Sequence, residues 1–284
     1  MDKTIHFISG LPRSGSTLLS AILKQNPRFH AGMSSPCASL FMAMQGATSR
    51  RNETAMFLDE GQKRELLRGV FTGVYHAHPQ EVIFDTNRAW CAKLPALTRL
   101  YPDAKVICCV RHVGWIVDSI ERIIRQNPFE LSGLFGYEAS NTMFTRVGRI
   151  ASSDGLVGFA LDALREAFFG DEADRLILVS YEALTQQPEP TMRALYDFLG
   201  EQWHDHDFDN VEYAADAFDL GLGTPGLHTV RRKVEWRPRA TVLPPDMLAR
   251  FEPDAFWTDP QLNTHDVPVL LPDAPLPGLT RSRA

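Results

Sequence analysis

Four short stretches of the chain are apolar at almost every position: Thr4 to Ser9, Glu81 to Asp85, Lys105 to Arg111 and Arg175 to Tyr181. Each has the length of a strand and is rich in β-branched residues. None shows the strict in-and-out alternation of a sheet with one wet face, so the pattern predicts strands covered on both sides. Between them, apolar residues recur at helical spacing over Ser16 to Gln25, Gly61 to His76, Ala89 to Leu100, Trp115 to Arg125, Gly155 to Phe169 and Thr191 to Leu199. Strands alternating with helices predict an α/β fold, three layers deep, with a mainly parallel central sheet. After about Asp259 the pattern stops, and the final stretch HDVPVLLPDAPLPGLTRSRA carries four prolines without periodicity. We therefore expect one domain over residues 1–260 and an extended Pro-rich tail over 261–284.

Candidate chemistry lies in the turns at the strand ends. Thr4 to Ser9 runs into Gly10-Leu11-Pro12-Arg13-Ser14-Gly15-Ser16-Thr17 and then a helix, and strand, Gly-containing turn and helix is the setting of a phosphate-binding loop. The unpaired NH groups at the start of that helix attract an anion, and Ser14, Ser16 and Thr17 add hydroxyl donors. Read structurally only, the same residues make a tight turn and a helix cap. Ser16 stands where a nucleotide-hydrolysing loop carries lysine, so Arg13 supplies the positive charge and ATP hydrolysis is disfavoured. A second candidate follows the third strand, where Arg111 stands at the strand end and Ser119 about two turns into the next helix, both within reach of one phosphate.

Together these two signatures resemble the sulfotransferases that use 3′-phosphoadenosine-5′-phosphosulfate. The resemblance implies that Arg13, Ser14, Gly15, Ser16 and Thr17 hold the 5′-phosphosulfate and that Arg111 and Ser119 hold the 3′-phosphate. LYPDAKVICCVRH, residues 100–112, is similar to the run leading into that second site. LILVSYEALTQQPEPTMRALYDFLG, residues 176–200, places Tyr181 where the family has a tyrosine near the adenosine. LHTVRRKVEWRPRATVLPPDML, residues 227–248, resembles the family's late basic loop, with Arg231, Arg232 and Lys233 as candidates for the 3′-phosphate. Within the family the pattern is closest to the tyrosylprotein type and to bacterial enzymes similar to it. The implied reaction is in-line transfer of a sulfuryl group to a hydroxyl or phenol, releasing adenosine 3′,5′-bisphosphate without a metal.

The sequence departs from that pattern at the catalytic base. Gly32-Met33-Ser34-Ser35 has no carboxylate where the tyrosylprotein type carries one, and Thr86 replaces a lysine common in relatives. Asp85 is a candidate base, or else a cap on the helix that follows it, and Arg88 is a candidate substitute for the missing cation. His30 lies close to the Gly32 stretch, whereas His6, His76 and His78 have only strand or helix context, and His112, beside Arg111, replaces an acidic residue common in the family and is open to a plain backbone role. The VIFD run ending at Asp85 imitates a metal-binding strand. It keeps a P-loop kinase or nucleotide hydrolase as the alternative reading, with a non-catalytic nucleotide-binding relative beside it.

Composition narrows the partners. Formal charge is −6 over 284 residues, so no nucleic acid or anionic membrane is expected to bind the surface as a whole, and any anion site must be local. Cys37, Cys91, Cys108 and Cys109 lack the spacing of a zinc site and read as reduced core thiols. No apolar run is long enough to span a membrane and the first residues do not read as a secretory signal, so a cytoplasmic location is expected. The acceptor is open between a small molecule and a peptide.

Overall fold

The computed structural model describes residues 3–273 apart from 51, 127–128, 130–141 and 222–224. Strands β1 (Thr4–Gly10), β3 (Val82–Thr86), β4 (Val106–Val110) and β5 (Leu176–Ser180) match the four apolar runs. Two short strands complete the sheet: β2 (Phe29–Ala31) and β6 (Val269–Leu270). The order is β2-β3-β1-β4-β5-β6, and every pairing is parallel. The predicted α/β class with a parallel sheet is the observed one.

Both faces of the sheet are covered, which explains the unbroken apolar runs. Phe7, Val106, Cys108, Leu176 and Leu178 face one core; Ile8, Ile107, Cys109, Ile177 and Val179 face the other. The first core is roofed by α2 (Cys37–Ala47), α3 (Glu60–Tyr75), α4 (Leu94–Leu100), α5 (Val113–Gln126), α6 (Met143–Ala151) and α7 (Leu156–Phe168). The second is roofed by α1 (Ser16–Leu23), α8 (Tyr181–Gln186) and α9 (Pro188–Leu199). Beyond α9 come two short helices, α10 (Asp216–Gly221) and α11 (Pro245–Ala249).

Two expectations change. The helix expected over Ala89 to Leu100 divides into a 3₁₀ turn, Arg88–Lys93, and α4. Pro95, in the first turn of α4, has no NH with which to continue a helical ladder from the preceding turn. The chain beyond Pro260 is not wholly a tail, because Val267 is buried and β6 pairs with β5. Residues 274–284 of the expected tail lie outside the described residues.

The topology fixes where a ligand fits. From β1 the chain crosses to β2 and β3 on one side, then passes β1 to form β4, and continues to β5 on the other. The carboxyl ends of β1 and β4 therefore flank the switch point, where neighbouring connections diverge and leave a crevice. The Gly10–Thr17 loop follows β1, and Arg111 follows β4.

Candidate anion-binding cleft

The loop after β1 is shaped by backbone contacts. Gly10 has φ 96°, and a Cβ on it would stand 2.3 Å from the Cys109 carbonyl oxygen on β4. No other residue fits there without moving a strand. Leu11 NH donates to that same carbonyl at 2.8 Å. Gly15 has φ 99° with Tyr181 beside it, and Arg13 is itself left-handed at φ 58°. The first helical hydrogen bond runs from Leu19 NH to the Gly15 carbonyl, so the NH groups of Ser16, Thr17 and Leu18 have no partner within α1. Ser16 and Thr17 line a cleft of about 960 Å³. Ser14 does not line it. Its hydroxyl is buried between the carbonyls of Leu11 and Cys109, 2.9 Å from the latter, and braces the loop from beneath.

The two basic signatures meet. Arg13 Nε donates to Ser119 Oγ at 3.2 Å, and its Nη1 donates to the Leu227 carbonyl. Arg111 lies over the Tyr181 ring, 4.1 Å from its centroid, with Nε 3.6 Å from Glu182 Oε1. That Nε is buried and has no hydrogen-bond partner. Burial, and then the charge of Arg111, pull the Arg13 pKa down to about 10. Burial also pushes the Glu182 carboxyl up, against the opposing pull of Arg111. The two guanidiniums repel each other, and anionic groups bound beside them would offset that repulsion.

The late segment closes the cleft from the opposite side, and here the structure divides the expected residues. Arg231 and Lys233 line the cleft, although Lys233 Nζ is also 2.8 Å from Asp209. Arg232 does not line it. Its side chain is exposed and pairs with the exposed Glu212 at 3.2 Å, while its carbonyl accepts from Val211 NH. Two arginines were missed, Arg237 and Arg239, both in the cleft wall. The signal was present in the basic run WRPR. Arg239 Nη2 is 2.7 Å from Asp118 Oδ2, and Asp118 on α5 is completely buried. Asp118 also accepts from Thr241 Oγ1 at 3.0 Å, Val242 NH at 2.7 Å and Arg122 Nε at 3.0 Å.

Asp85 is not positioned as a base. Its side chain shares the face of Ile83 and Phe7, and its carboxylate accepts from Trp90 Nε1 at 2.8 Å, Tyr75 OH at 2.6 Å and Ser35 Oγ at 2.7 Å. With 0% exposure it is a buried brace between the loop before α2, α3 and the 3₁₀ turn. Nor does it cap that turn: Asn87 does so, accepting from Ala89 NH at 3.0 Å. Arg88 lines the cleft, as does Thr86, whose buried Oγ1 has no partner. His30 does not line the cleft; burial, and then His78, lower its pKa to about 4. His112 accepts from Gly114 NH at 3.1 Å through Nδ1, and its Nε2 is buried without a partner.

Seven arginine and lysine side chains and two carboxylates line this cleft in a chain of net charge −6. The positive charge is local, as the composition requires of any anion site. Among the described residues there is no cluster of His, Cys, Asp and Glu able to hold a metal ion, and no helix is long and apolar enough to cross a membrane.

A parallel sheet with a phosphate-type loop after β1 and a basic crevice at the switch point defines a P-loop-like anion-binding fold. A family model described as "Sulfotransferase family" matches residues 6–205, and the chain belongs to that family. Protein-tyrosine sulfotransferase 1 of Danio rerio is 29% identical over 229 residues, covering 78% of this chain and 60% of the relative. The human protein-tyrosine sulfotransferase 1 is 28% identical over 211 residues, 72% of this chain and 53% of that protein. The chain thus spans little more than half the length of these curated relatives. Among solved structures, a sulfotransferase domain from the curacin biosynthetic pathway aligns with a TM-score of 0.57 at 16% identity, covering 88% of this chain and 96% of that one. A sulfotransferase from Alicyclobacillus acidocaldarius gives 0.52 at 12%, covering 89% and 93%. These likenesses show the same fold.

Proposed function

We propose that this sulfotransferase takes its sulfuryl group from 3′-phosphoadenosine-5′-phosphosulfate and passes it to a hydroxyl or phenol, releasing adenosine 3′,5′-bisphosphate. One observation carries the donor assignment. The Gly10–Thr17 loop and the Arg111–Ser119 pair, which are 106 residues apart at Arg13 and Ser119, line one cleft and touch across it. Two separated anion subsites suit a nucleotide that bears phosphate at both its 5′ and 3′ positions.

In this reading the NH groups at the start of α1, with Ser16, Thr17 and Arg13, hold the 5′-phosphosulfate. Arg111 and Ser119 hold the 3′-phosphate, with Arg231, Lys233 and Arg239 contributing charge from the late segment. Negative charge builds on the leaving phosphate as sulfur moves to the acceptor, and donors fixed in place before reaction stabilise it most effectively. Arg88 is on hand for the transferring group, as a substitute for the lysine that Thr86 replaces. A phenol acceptor is supported by the relatives named protein-tyrosine sulfotransferases.

The test is thermal denaturation with adenosine 3′,5′-bisphosphate, the sulfuryl donor, ATP, or ATP with magnesium. The first two should raise the melting temperature, and Arg13→Ala and Arg111→Ala should each diminish the rise. An equal rise with ATP, or ATP consumption abolished by a chelator, would favour a kinase or hydrolase instead.

A further inference from the structure

The expected carboxylate base is absent from the Gly32 stretch, and Asp85 is enclosed by its donors. The cleft wall offers another proton acceptor. Asp219, on α10, is 1% exposed, and both its oxygens are given to one residue. Oδ2 accepts from the backbone NH of His228 at 2.8 Å, and Oδ1 lies 2.5 Å from His228 Nδ1. A carboxylate can only accept, so Nδ1 is the donor, and in the neutral ring Nε2 carries the lone pair.

His228 lines the cleft, and its Nε2 has no hydrogen-bond partner among the described residues and is not sealed from solvent. The Phe218 ring packs edge-on against the imidazole at 5.6 Å between centroids. Leu227, one residue earlier, accepts from Arg13. The imidazole is therefore one peptide unit from the contact that joins the late segment to the phosphate-type loop. Orientation by a buried carboxylate, a free Nε2 and a place beside that loop are what a general base requires.

The other carboxylates of the cleft suit the task less well. Glu235 is paired with Arg237. Asp154 accepts from Ser152 Oγ at 2.7 Å, which lowers its pKa and weakens it as a base.

We propose that the Asp219–His228 pair deprotonates the acceptor, an inference that rests on the sulfuryl-transfer reading above. Nε2 takes the proton of the acceptor O–H. The electron pair on that oxygen forms the new O–S bond, and the bond from sulfur to the bridging phosphate oxygen breaks with its pair passing to the phosphate. The imidazolium then returns its proton to solvent. Asp219 is a positioning residue: it holds the tautomer and stabilises the imidazolium without itself being protonated.

A purely structural role predicts something different, because the Asp219 bond to the His228 backbone could simply clamp the loop. The experiment follows radiolabelled sulfuryl transfer from the donor to 2-naphthol, and to water in parallel, with adenosine 3′,5′-bisphosphate affinity measured by calorimetry on the same proteins. His228→Ala should lose about 100-fold or more in kcat, keep bisphosphate affinity within about threefold, and regain at least about tenfold in rate with added imidazole. Asp219→Asn should slow turnover without responding to imidazole, and His228→Gln should bind the bisphosphate yet stay slow.

Unchanged turnover in His228→Ala would overturn the proposal. So would a loss of turnover accompanied by an equal loss of bisphosphate affinity, which is the signature of a clamp. A wild-type protein that binds the bisphosphate but transfers to neither acceptor would also overturn it. A wild-type protein that does not bind the bisphosphate removes the donor reading itself, and the base falls with it.

Discussion

The two walls of the cleft are held by different means. The Gly10–Thr17 loop is fixed by main-chain geometry: Gly10 against the Cys109 carbonyl, Leu11 NH on the same oxygen, and Ser14 bonded beneath. The opposite wall, from Leu227 to Pro244, has no helix or strand of its own. Main-chain hydrogen bonds tie its middle to the preceding stretch, from Val211 NH to the Arg232 carbonyl and from Val234 NH to the Phe208 carbonyl, but its two ends hang on buried carboxylates, Asp219 at the start and Asp118 at the end. A wall built from backbone contacts is lost only with the fold. The ends of a wall anchored by side chains can be released one carboxylate at a time, and that difference makes the account testable.

Gly10→Ala should have the largest effect. Its Cβ meets backbone 2.3 Å away at φ 96°, so β1 and β4 must separate. We expect a loss on the order of 3–5 kcal/mol in urea denaturation, or no soluble protein. Asp118→Ala should cost less stability, on the order of 2–3 kcal/mol, because Arg122 and Arg239 are each about one-third exposed and can turn to water. It should nevertheless weaken adenosine 3′,5′-bisphosphate binding by about tenfold as Arg239 and the segment behind it lose their anchor. If affinity survives intact, the late wall does not depend on Asp118.

Asp85→Asn separates brace from base. Its carboxylate oxygens serve three donors, so the amide should destabilise by roughly 1–3 kcal/mol while leaving bisphosphate affinity unchanged. Affinity that falls in step with stability would place Asp85 closer to the ligand than its burial suggests.

The smallest effect is a slope with pH. Burial, and then Lys105, lower His6 to about 4 from an ordinary 6.5. Between those values the unfolded chain binds a proton that the folded chain refuses, so stability is intact above about pH 6.5 and declines as pH falls toward 4. The same direction holds for His206, which burial also lowers to about 4. His6→Gln should flatten the slope by on the order of 1–3 kcal/mol across that window, read from urea midpoints at several pH values. A slope of equal steepness in the variant would assign it to other groups.

What the sequence disclosed follows the same division between local and distant contacts. The strands β1, β3, β4 and β5 were legible because burial on two faces leaves an unbroken apolar run. Strands of three and two residues, β2 and β6, are too short to carry a pattern and owe their place to a neighbour. The phosphate-type loop could be read from its spacing after a strand, whereas the meeting of Arg111 and Ser119 with it was implied by the family resemblance. The role of Asp85 could not be read, because its donors Ser35, Tyr75 and Trp90 come from a loop, a helix and a 3₁₀ turn that are separate in sequence. Ser14 and Arg232 were placed on the right segments, but the direction of each side chain is set by packing. Asp118 meets Thr241 across 123 residues, a contact that no local signal announces. Asp219 and His228 are nine residues apart, yet nothing in the interval marks them as a pair.

The central claim is that one cleft reads two phosphates, at the 5′ and 3′ positions of a nucleotide. Calorimetry with adenosine 3′,5′-bisphosphate and adenosine 5′-monophosphate, in the wild type and in Arg111→Ala, tests it most directly. The account predicts that the wild type prefers the bisphosphate by about 100-fold, roughly 2.7 kcal/mol, and that Arg111→Ala removes most of that preference while changing monophosphate affinity little. Equal affinity for the two nucleotides in the wild type, or a preference that survives in Arg111→Ala, would contradict it.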